Sequence, residues 1–172
     1  MRRTQAFFAA GAIFVATSAG IAASAVGATP ASTGQPARHG ELVSSNLVGR
    51  PTDPNLTVTI RGVPPGAVAW QLNRGTTGLD ANGRLTVKLE GLVITGTNTN
   101  LDGTTGPVKA VVASLTCDGM TPAIVSTDPV PLSPEGDARI DQQVALPPVC
   151  LAPIVLVRAN TSSGPWIAAS GF

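Results

Sequence analysis

The sequence contains few of the residues on which enzymes most often depend. Its 172 residues include one histidine, two cysteines and no tyrosine. The single histidine, His39, lies in a polar stretch near the N-terminus, so a serine or cysteine nucleophile elsewhere would lack a base. GxSxG, HExxH, Walker and dinucleotide-binding motifs are also missing. We therefore predict that the protein is not an enzyme and uses no cofactor and no metal.

An excess of charge of either sign is missing as well. The formal net charge is +1 over the whole chain. Without residues 1–28, which carry Arg2 and Arg3, nine basic residues face ten acidic ones and the net charge becomes −1. Nucleic acids and anionic membranes are bound by clustered positive charge. We therefore expect neither of them to be a partner of the mature domain.

The N-terminus has the pattern of a signal peptide. Two arginines precede "AFFAAGAIFVATSAGIAASAVGA", an uncharged run over 6–28 that closes in small residues. This pattern predicts cleavage after Ala28, with Ala25 as the alternative, and an exported, extracellular protein without stable membrane insertion after cleavage. An uncleaved membrane anchor is the competing interpretation.

The two cysteines, Cys117 and Cys150, would meet an oxidising environment after export. We predict that they form one disulfide that closes a loop of 33 residues. A nucleophilic role for Cys117 would need a base to form the thiolate, and His39 lies far away in the chain. The pair is therefore predicted to be a structural cross-link.

The mature chain divides into a tail and a β-rich domain. Residues 29–52 are rich in small and polar residues without periodicity, and we predict a flexible tail. Residues 53–172 contain short apolar runs bounded by Gly, Pro, Asn or Asp. They predict an all-β fold, an immunoglobulin-like two-sheet β-sandwich of about seven or eight strands with one disulfide. The candidate strands are 56–60, 67–72, 83–94, 107–117, 123–127, 137–146, 153–159 and 166–171.

Alternation within these runs predicts which side chains are buried. Leu85, Val87 and Leu89 share one face, which we predict to be core. In 137–146, Gln142 interrupts an apolar row, as is typical of an edge strand or a bulge. The run 153–159 is apolar on both faces, which predicts a strand covered on each side, with the disulfide joining its entry to the end of another strand.

Two loops carry recognisable turn chemistry. Asn82-Gly83 lies between apolar runs and predicts a β-hairpin. The segment 98–103 imitates the opening of a calcium loop, but the twelfth position is Lys109, where a bidentate glutamate is required. We therefore interpret it as a plain connection.

Three residues are candidates for contact with a partner. Trp70 and Trp166 could form a glycan or protein contact, although core packing is favoured because both lie in apolar strands. Met120 lies in "CDGMTP", a loop that the disulfide would hold at its base. Such a loop could be presented to a protease by a secreted inhibitor, while its composition is equally that of a simple turn.

Five segments carry a resemblance: "TVTIRGVPPGAVAWQL", "LEGLVITGT", "ASLTCDG", "GDARIDQQVALPPVCLAPIVLVR" and "WIAASG". Over about residues 56–172 the chain resembles a group of small exported actinobacterial proteins of unknown function. The resemblance implies a secreted β-domain with two cysteines and implies no activity. The use of nine arginines and two lysines is typical of a GC-rich genome and agrees with that source.

These observations favour a secreted, non-enzymatic β-sandwich module with a binding or structural role outside the cell or in the cell wall. Its partner would be a protein or a glycan. The alternatives are a protease inhibitor that presents the 117–122 loop and a hydrolase that uses acidic residues such as Asp137 and Asp141.

Overall fold

A computed structural model of the chain describes residues 40–118 and 123–171. The predicted signal peptide, residues 29–39 of the predicted tail and Met120 lie outside the described residues. The described residues contain a 3-10 helix (Pro54–Leu56) and nine β-strands. The strands are β1 (Glu41–Gly49), β2 (Ala69–Asp80), β3 (Arg84–Thr95), β4 (Ala110–Asp118), β5 (Ala123–Ser126), β6 (Val130–Pro131), β7 (Ala138–Gln143), β8 (Leu151–Ala159) and β9 (Trp166–Ser170).

The strands form one continuous antiparallel sheet in the order β5-β4-β8-β9-β1-β2-β3-β7, and β6 pairs with the beginning of β4. β1 joins the two halves, because residues 41–46 pair with β2 and residues 47–49 pair with β9. The predicted all-β class is confirmed. The immunoglobulin-like two-sheet sandwich is not confirmed, since the strands that would form its two layers belong to a single hydrogen-bonded sheet.

The sheet curls until its two ends approach each other. Gln142 lies on β7, the last strand at one end, and Asp128 lies between β5 and β6 at the other. The Asp128 backbone N–H donates to Gln142 Oε1 at 2.8 Å, and Gln142 Nε2 donates to the Asp128 carbonyl at 3.4 Å. Of the two predicted explanations for the polar interruption in 137–146, an edge strand or a bulge, the structure shows the edge strand, and the Gln142 side chain bridges the two ends of the sheet.

The main hydrophobic core lies between the two halves of the curled sheet. Leu85, Val87 and Leu89 are buried in it, which confirms the predicted core face of β3. Their partners in the other half include Val111 and Leu115 of β4. The predicted Asn-Gly hairpin is also confirmed: β2 and β3 are joined at residues 81–83, where Gly83 has a φ of 86°.

The prediction of a flexible tail up to residue 52 is wrong for residues 41–49, which form β1. Val43, Leu47 and Gly49 of this strand are buried, but Ser45 stands between the two apolar residues and conceals the alternation. At Gly49 a Cβ would overlap the Trp70 carbonyl oxygen, so this position accepts no side chain. Pairing on both sides stabilises the strand despite its polar composition.

The prediction of a strand at 56–60 is also wrong. Residues 54–66, which we call the strap, contain the 3-10 helix and take part in two isolated bridges, one between Ile60 and Val63 and one between Pro65 and Trp166 of β9. Ile60 and Val63 pack with Leu156, Trp166 and Ala169 in a second buried cluster. On β8, Leu156 packs in this second cluster, whereas Val155 and Val157 pack in the main core. The prediction that 153–159 is covered on both faces is therefore confirmed.

Candidate functional site

The predicted disulfide is present. Cys117 on β4 is bonded to Cys150, the residue directly before β8, with their Cα atoms 4.8 Å apart. The bond therefore joins the end of one strand to the entry of its neighbour, as the sequence predicted. Cys117 is almost fully buried in the main core, and neither cysteine is free. Both sulfur atoms are committed to a cross-link, so neither is available as a nucleophile.

An ion pair lies next to the disulfide. Arg61 of the strap donates from Nη2 to Asp118 Oδ2 at 2.9 Å and from Nη1 to the Thr116 carbonyl at 2.8 Å. The Arg61 side chain is 14% exposed and that of Asp118 is 58% exposed. Arg61 has a φ of 47°, which a residue with a Cβ adopts only where its surroundings hold it. The strap is thus fastened to the end of β4 beside Cys117.

Three large aliphatic side chains are exposed around this end of the sheet. Val149 and Leu151, which flank Cys150, are 60% and 59% exposed. Ile124, which is 43% exposed, lies on β5 opposite Thr116, next to the pairing of Cys117 with residue 123. We call these three residues the apolar rim. Exposed aliphatic groups collected at one place are typical of a surface that contacts another protein.

The two tryptophans do not contribute to this surface. Trp70 is 4% exposed and packs in the main core, and Trp166 is fully buried beneath the strap. The Trp166 indole Nε1 donates to the Val58 carbonyl at 3.1 Å. The interpretation of these residues as a contact site is therefore wrong, and the alternative of core packing is confirmed. A buried indole has its ring faces covered by neighbouring side chains and cannot stack on a ligand.

The two carboxylates named for a hydrolase have structural partners. Asp141 forms a bidentate pair with Arg84, from Nε and Nη2, both at 2.7 Å. These hydrogen bonds lower the pKa of Asp141 below its ordinary value. Asp137 accepts the backbone N–H of Gly91 at 2.9 Å. A general acid needs a raised pKa, so the environment of Asp141 is the opposite of what that role requires.

The segment 98–103 is a side-chain-capped turn. The Asp102 carboxylate accepts the Thr97 hydroxyl at 2.7 Å and the backbone N–H groups of Thr97 and Asn98, both at 3.0 Å. These donors lower the pKa of Asp102. Across residues 40–118 and 123–171, no group of three or more His, Cys, Asp or Glu side chains is placed to hold a metal ion.

Sequence reasoning found the cysteines at this site but missed Arg61 and the apolar rim. One signal was available for part of the rim. Val149 and Leu151 lie in "LPPVCLAP", with two prolines before Val149 and one proline two residues after Leu151. Proline cannot donate to a sheet, so apolar residues enclosed by prolines are poor candidates for a strand interior. Arg61 carried no comparable signal, since its partner is 57 residues away.

Comparisons with protein-family models, curated proteins and solved structures return no match to the chain. The resemblance to exported actinobacterial proteins therefore stays a prediction. In the part of the chain that the structure describes, no helix has the length and apolar character needed to cross a membrane.

Proposed function

We propose that the protein is a secreted, non-enzymatic module that binds a partner protein through the apolar rim. One observation carries the proposal: Ile124, Val149 and Leu151 are exposed on backbone that the Cys117–Cys150 disulfide holds in place. A disulfide persists outside the cell, and its presence is compatible with an extracellular location.

The rim has little freedom to lose on binding. Residue 151 pairs with Asp118 across β8 and β4, and Ile124 pairs with Thr116 across β5 and β4. The disulfide and the Arg61–Asp118 pair hold the same strand ends. Ordering of loops and side chains opposes association, so a rim that is ordered beforehand retains more of its interaction energy. The two halves of the curled sheet would act in this role as the two layers of a sandwich-like scaffold.

A protein partner is favoured over a glycan by the chemistry of the exposed groups. Glycan-binding surfaces commonly use an exposed aromatic ring as a platform for the sugar, and both Trp70 and Trp166 are buried. Aliphatic side chains surrounded by polar ones resemble the centre of a protein interface. The contacts of Asp137 and Asp141 support a role that does not depend on catalysis by these carboxylates.

The test is binding by matched surface variants. We expect the oxidised domain to capture a cell-envelope protein in a saturable, stoichiometric complex, which Leu151→Asp abolishes. Leu101→Asp is the control, because Leu101 is also exposed but lies in the connection between β3 and β4. Equal binding by both variants, or binding of glycans alone, would contradict the proposal.

Export is tested separately by mass spectrometry of the culture supernatant. We expect an N-terminus at Thr29, or at Val26 for the alternative cleavage site, and a mass two hydrogens below that of the reduced chain. A chain that begins at Met1 and stays in the membrane fraction would show that the protein is not released.

A second candidate function is protease inhibition by the 117–122 loop. It is favoured by the two attachments at the start of that loop, the disulfide at Cys117 and the ion pair at Asp118. The test is to titrate subtilisin-like and chymotrypsin-like proteases with the purified domain. Stoichiometric inhibition that Met120→Asp abolishes would support this candidate. Rapid cleavage after Met120 without loss of protease activity would exclude it.

A further inference from the structure

Arg50, the residue directly after β1, is held firmly by its backbone. Its N–H donates to the Ile167 carbonyl and its carbonyl accepts the Trp70 N–H, both at 2.8 Å. The two bonds connect Arg50 to β9 on one side and to β2 on the other. These two hydrogen bonds fix the position of the Arg50 Cα, and therefore the place from which its side chain extends.

The guanidinium of Arg50 has unusually few partners. Its Nε is buried and has no hydrogen-bond partner among the described residues. Its Nη1 donates to the Pro51 carbonyl at 3.4 Å, which is long for a hydrogen bond. By contrast, Arg61 and Arg84 each bind a carboxylate, at 2.9 and 2.7 Å. Within residues 40–118 and 123–171, Arg50 forms no such ion pair.

An unpartnered buried donor needs an explanation, because the lost hydration of an N–H group destabilises the folded state. Burial lowers the pKa of Arg50, and no carboxylate counteracts this effect. A guanidinium stays protonated at neutral pH even so. Arg50 is therefore a partly buried positive charge without a counter-charge in the described structure.

Arg50 lines a depression of about 390 Å³. The other walls are Thr52, residues 67–69 before and at the start of β2, and residues 95–97 at and beyond the end of β3. Arg50 is the one ionisable side chain among these lining residues. Thr52 and Thr95 supply hydroxyl groups, whereas the Thr97 hydroxyl is bonded to Asp102. The lining thus combines one positive charge with hydroxyl donors and no acidic group.

We propose that Arg50 and the neighbouring threonines form a binding site for a carboxylate group. The Nε–H and one Nη–H of a guanidinium form a planar pair of donors that matches the two oxygens of a carboxylate. Among residues 40–118 and 123–171, Nη2 has no hydrogen-bond partner, so it is the first donor that the ligand would meet. A turn of the side chain toward the depression then brings Nε to the second oxygen, and the threonine hydroxyls can donate from the sides.

The site is separate from the apolar rim. It is formed by residues next to β1, β2 and β3, whereas the rim belongs to β5, β8 and the residue before Cys150. Failure of either proposal would therefore leave the other one standing.

The experiment follows, by ¹⁵N NMR in the purified, oxidised protein, the backbone amide signals of residues that line the depression, such as Thr52 and Gly96, because these signals are present in every variant. In the proteins that keep Arg50, its Nε–Hε signal is followed as well. Acetate and glucuronate are the carboxylate probes, phosphate and sulfate are the comparison anions, and chloride keeps the ionic strength constant. We expect these signals to shift saturably with the carboxylates, with a Kd on the order of 1–10 mM for such small ligands. Binding should be at least about tenfold weaker in Arg50→Gln, because a charge-assisted pair of donors is lost.

Two further variants make the result specific. Arg74→Gln removes the same charge from an exposed arginine whose side chain is 76% exposed, and it should bind acetate as the wild type does. Arg50→Lys keeps the charge without the planar pair of donors, so its binding should also be weakened. If Arg50→Gln does not fold, Arg50→Lys replaces it as the test of the arginine's role in binding. Shifts that do not saturate, equal loss in Arg74→Gln, or tighter binding of phosphate than of acetate would each overturn the proposal.

Discussion

Breaking the Cys117–Cys150 bond should remove a large share of the free energy that keeps the domain folded. The bond closes a loop of 33 residues. In the chain-entropy relation, a loop of this length stabilises the folded state by roughly 3.5–4 kcal/mol at 25 °C, because the unfolded chain has fewer conformations. A small domain has about 5–15 kcal/mol of net stability, so the effect is easily measured.

The choice of variant decides how cleanly that effect is seen. Cys117 is buried in the main core, so its replacement would remove packing as well as the bond. Cys150 is only partly buried and lies at the margin of the core. Cys150→Ala therefore removes the cross-link and keeps the Cys117 sulfur in place. Chemical reduction of the wild type removes the bond without any substitution and is the matched control.

The assay is denaturant unfolding followed by tryptophan fluorescence. Trp70 and Trp166 are both buried, so their emission should change when the domain unfolds. We expect Cys150→Ala and the reduced wild type to unfold at similar, lower denaturant concentrations, with the free energy of unfolding reduced by roughly 3.5–4 kcal/mol. A loss below about 1 kcal/mol in both samples would refute the reasoning, since chain entropy would then contribute little.

Two further predictions concern the strap and the Arg84–Asp141 pair. Trp166→Phe removes the indole donor to Val58, worth about 1 kcal/mol, and part of the second buried cluster. Amide hydrogen exchange should accelerate in the strap more than in β3, whereas uniform acceleration would contradict its separate attachment. Asp141→Asn should lower stability at neutral pH but not in strong acid. Because Arg84 depresses the pKa of Asp141, the pair's contribution is present above the ordinary value of 3.8 and lost as pH falls through the lower folded value, which thermal unfolding across pH would measure.

Most strands of the fold could be predicted because one face of each carries regular apolar residues. β3 is the clearest case, with Leu85, Val87 and Leu89 at every second position and all buried. β1 could not be predicted, since the row of residues on its buried face includes Gly49 and the half-buried Ser45. Conversely, 56–60 alternates as a strand would, yet Leu56 and Val58 are 53% and 50% exposed. There the alternating residues belong to a segment that packs on a face of the sheet and is not a strand of it. Periodicity cannot distinguish such a segment from a paired strand.

The arrangement of the strands depends on contacts that local sequence does not record. Alternation identifies the buried face of a strand but not its neighbours in the sheet. The sheet is continuous because β1 changes partners within its length, between residues 46 and 47. The same limit applies to the candidate sites. Cysteines could be paired by counting, whereas the exposure of Ile124 and the unpartnered Nε of Arg50 follow from the tertiary structure alone.

The disulfide lies where noncovalent coverage of the sheet declines. In the middle of β8, Val155 and Val157 pack in the main core while Leu156 is covered by the strap. Toward the beginning of the strand, Ile154 is only partly buried and Leu151 is exposed. Packing therefore holds β8 to β4 firmly at its centre and weakly at its entry, so a cross-link stabilises the structure most at that entry. The apolar side chains that remain uncovered there are the ones available to a partner, and reduction should release this end of the sheet before its centre.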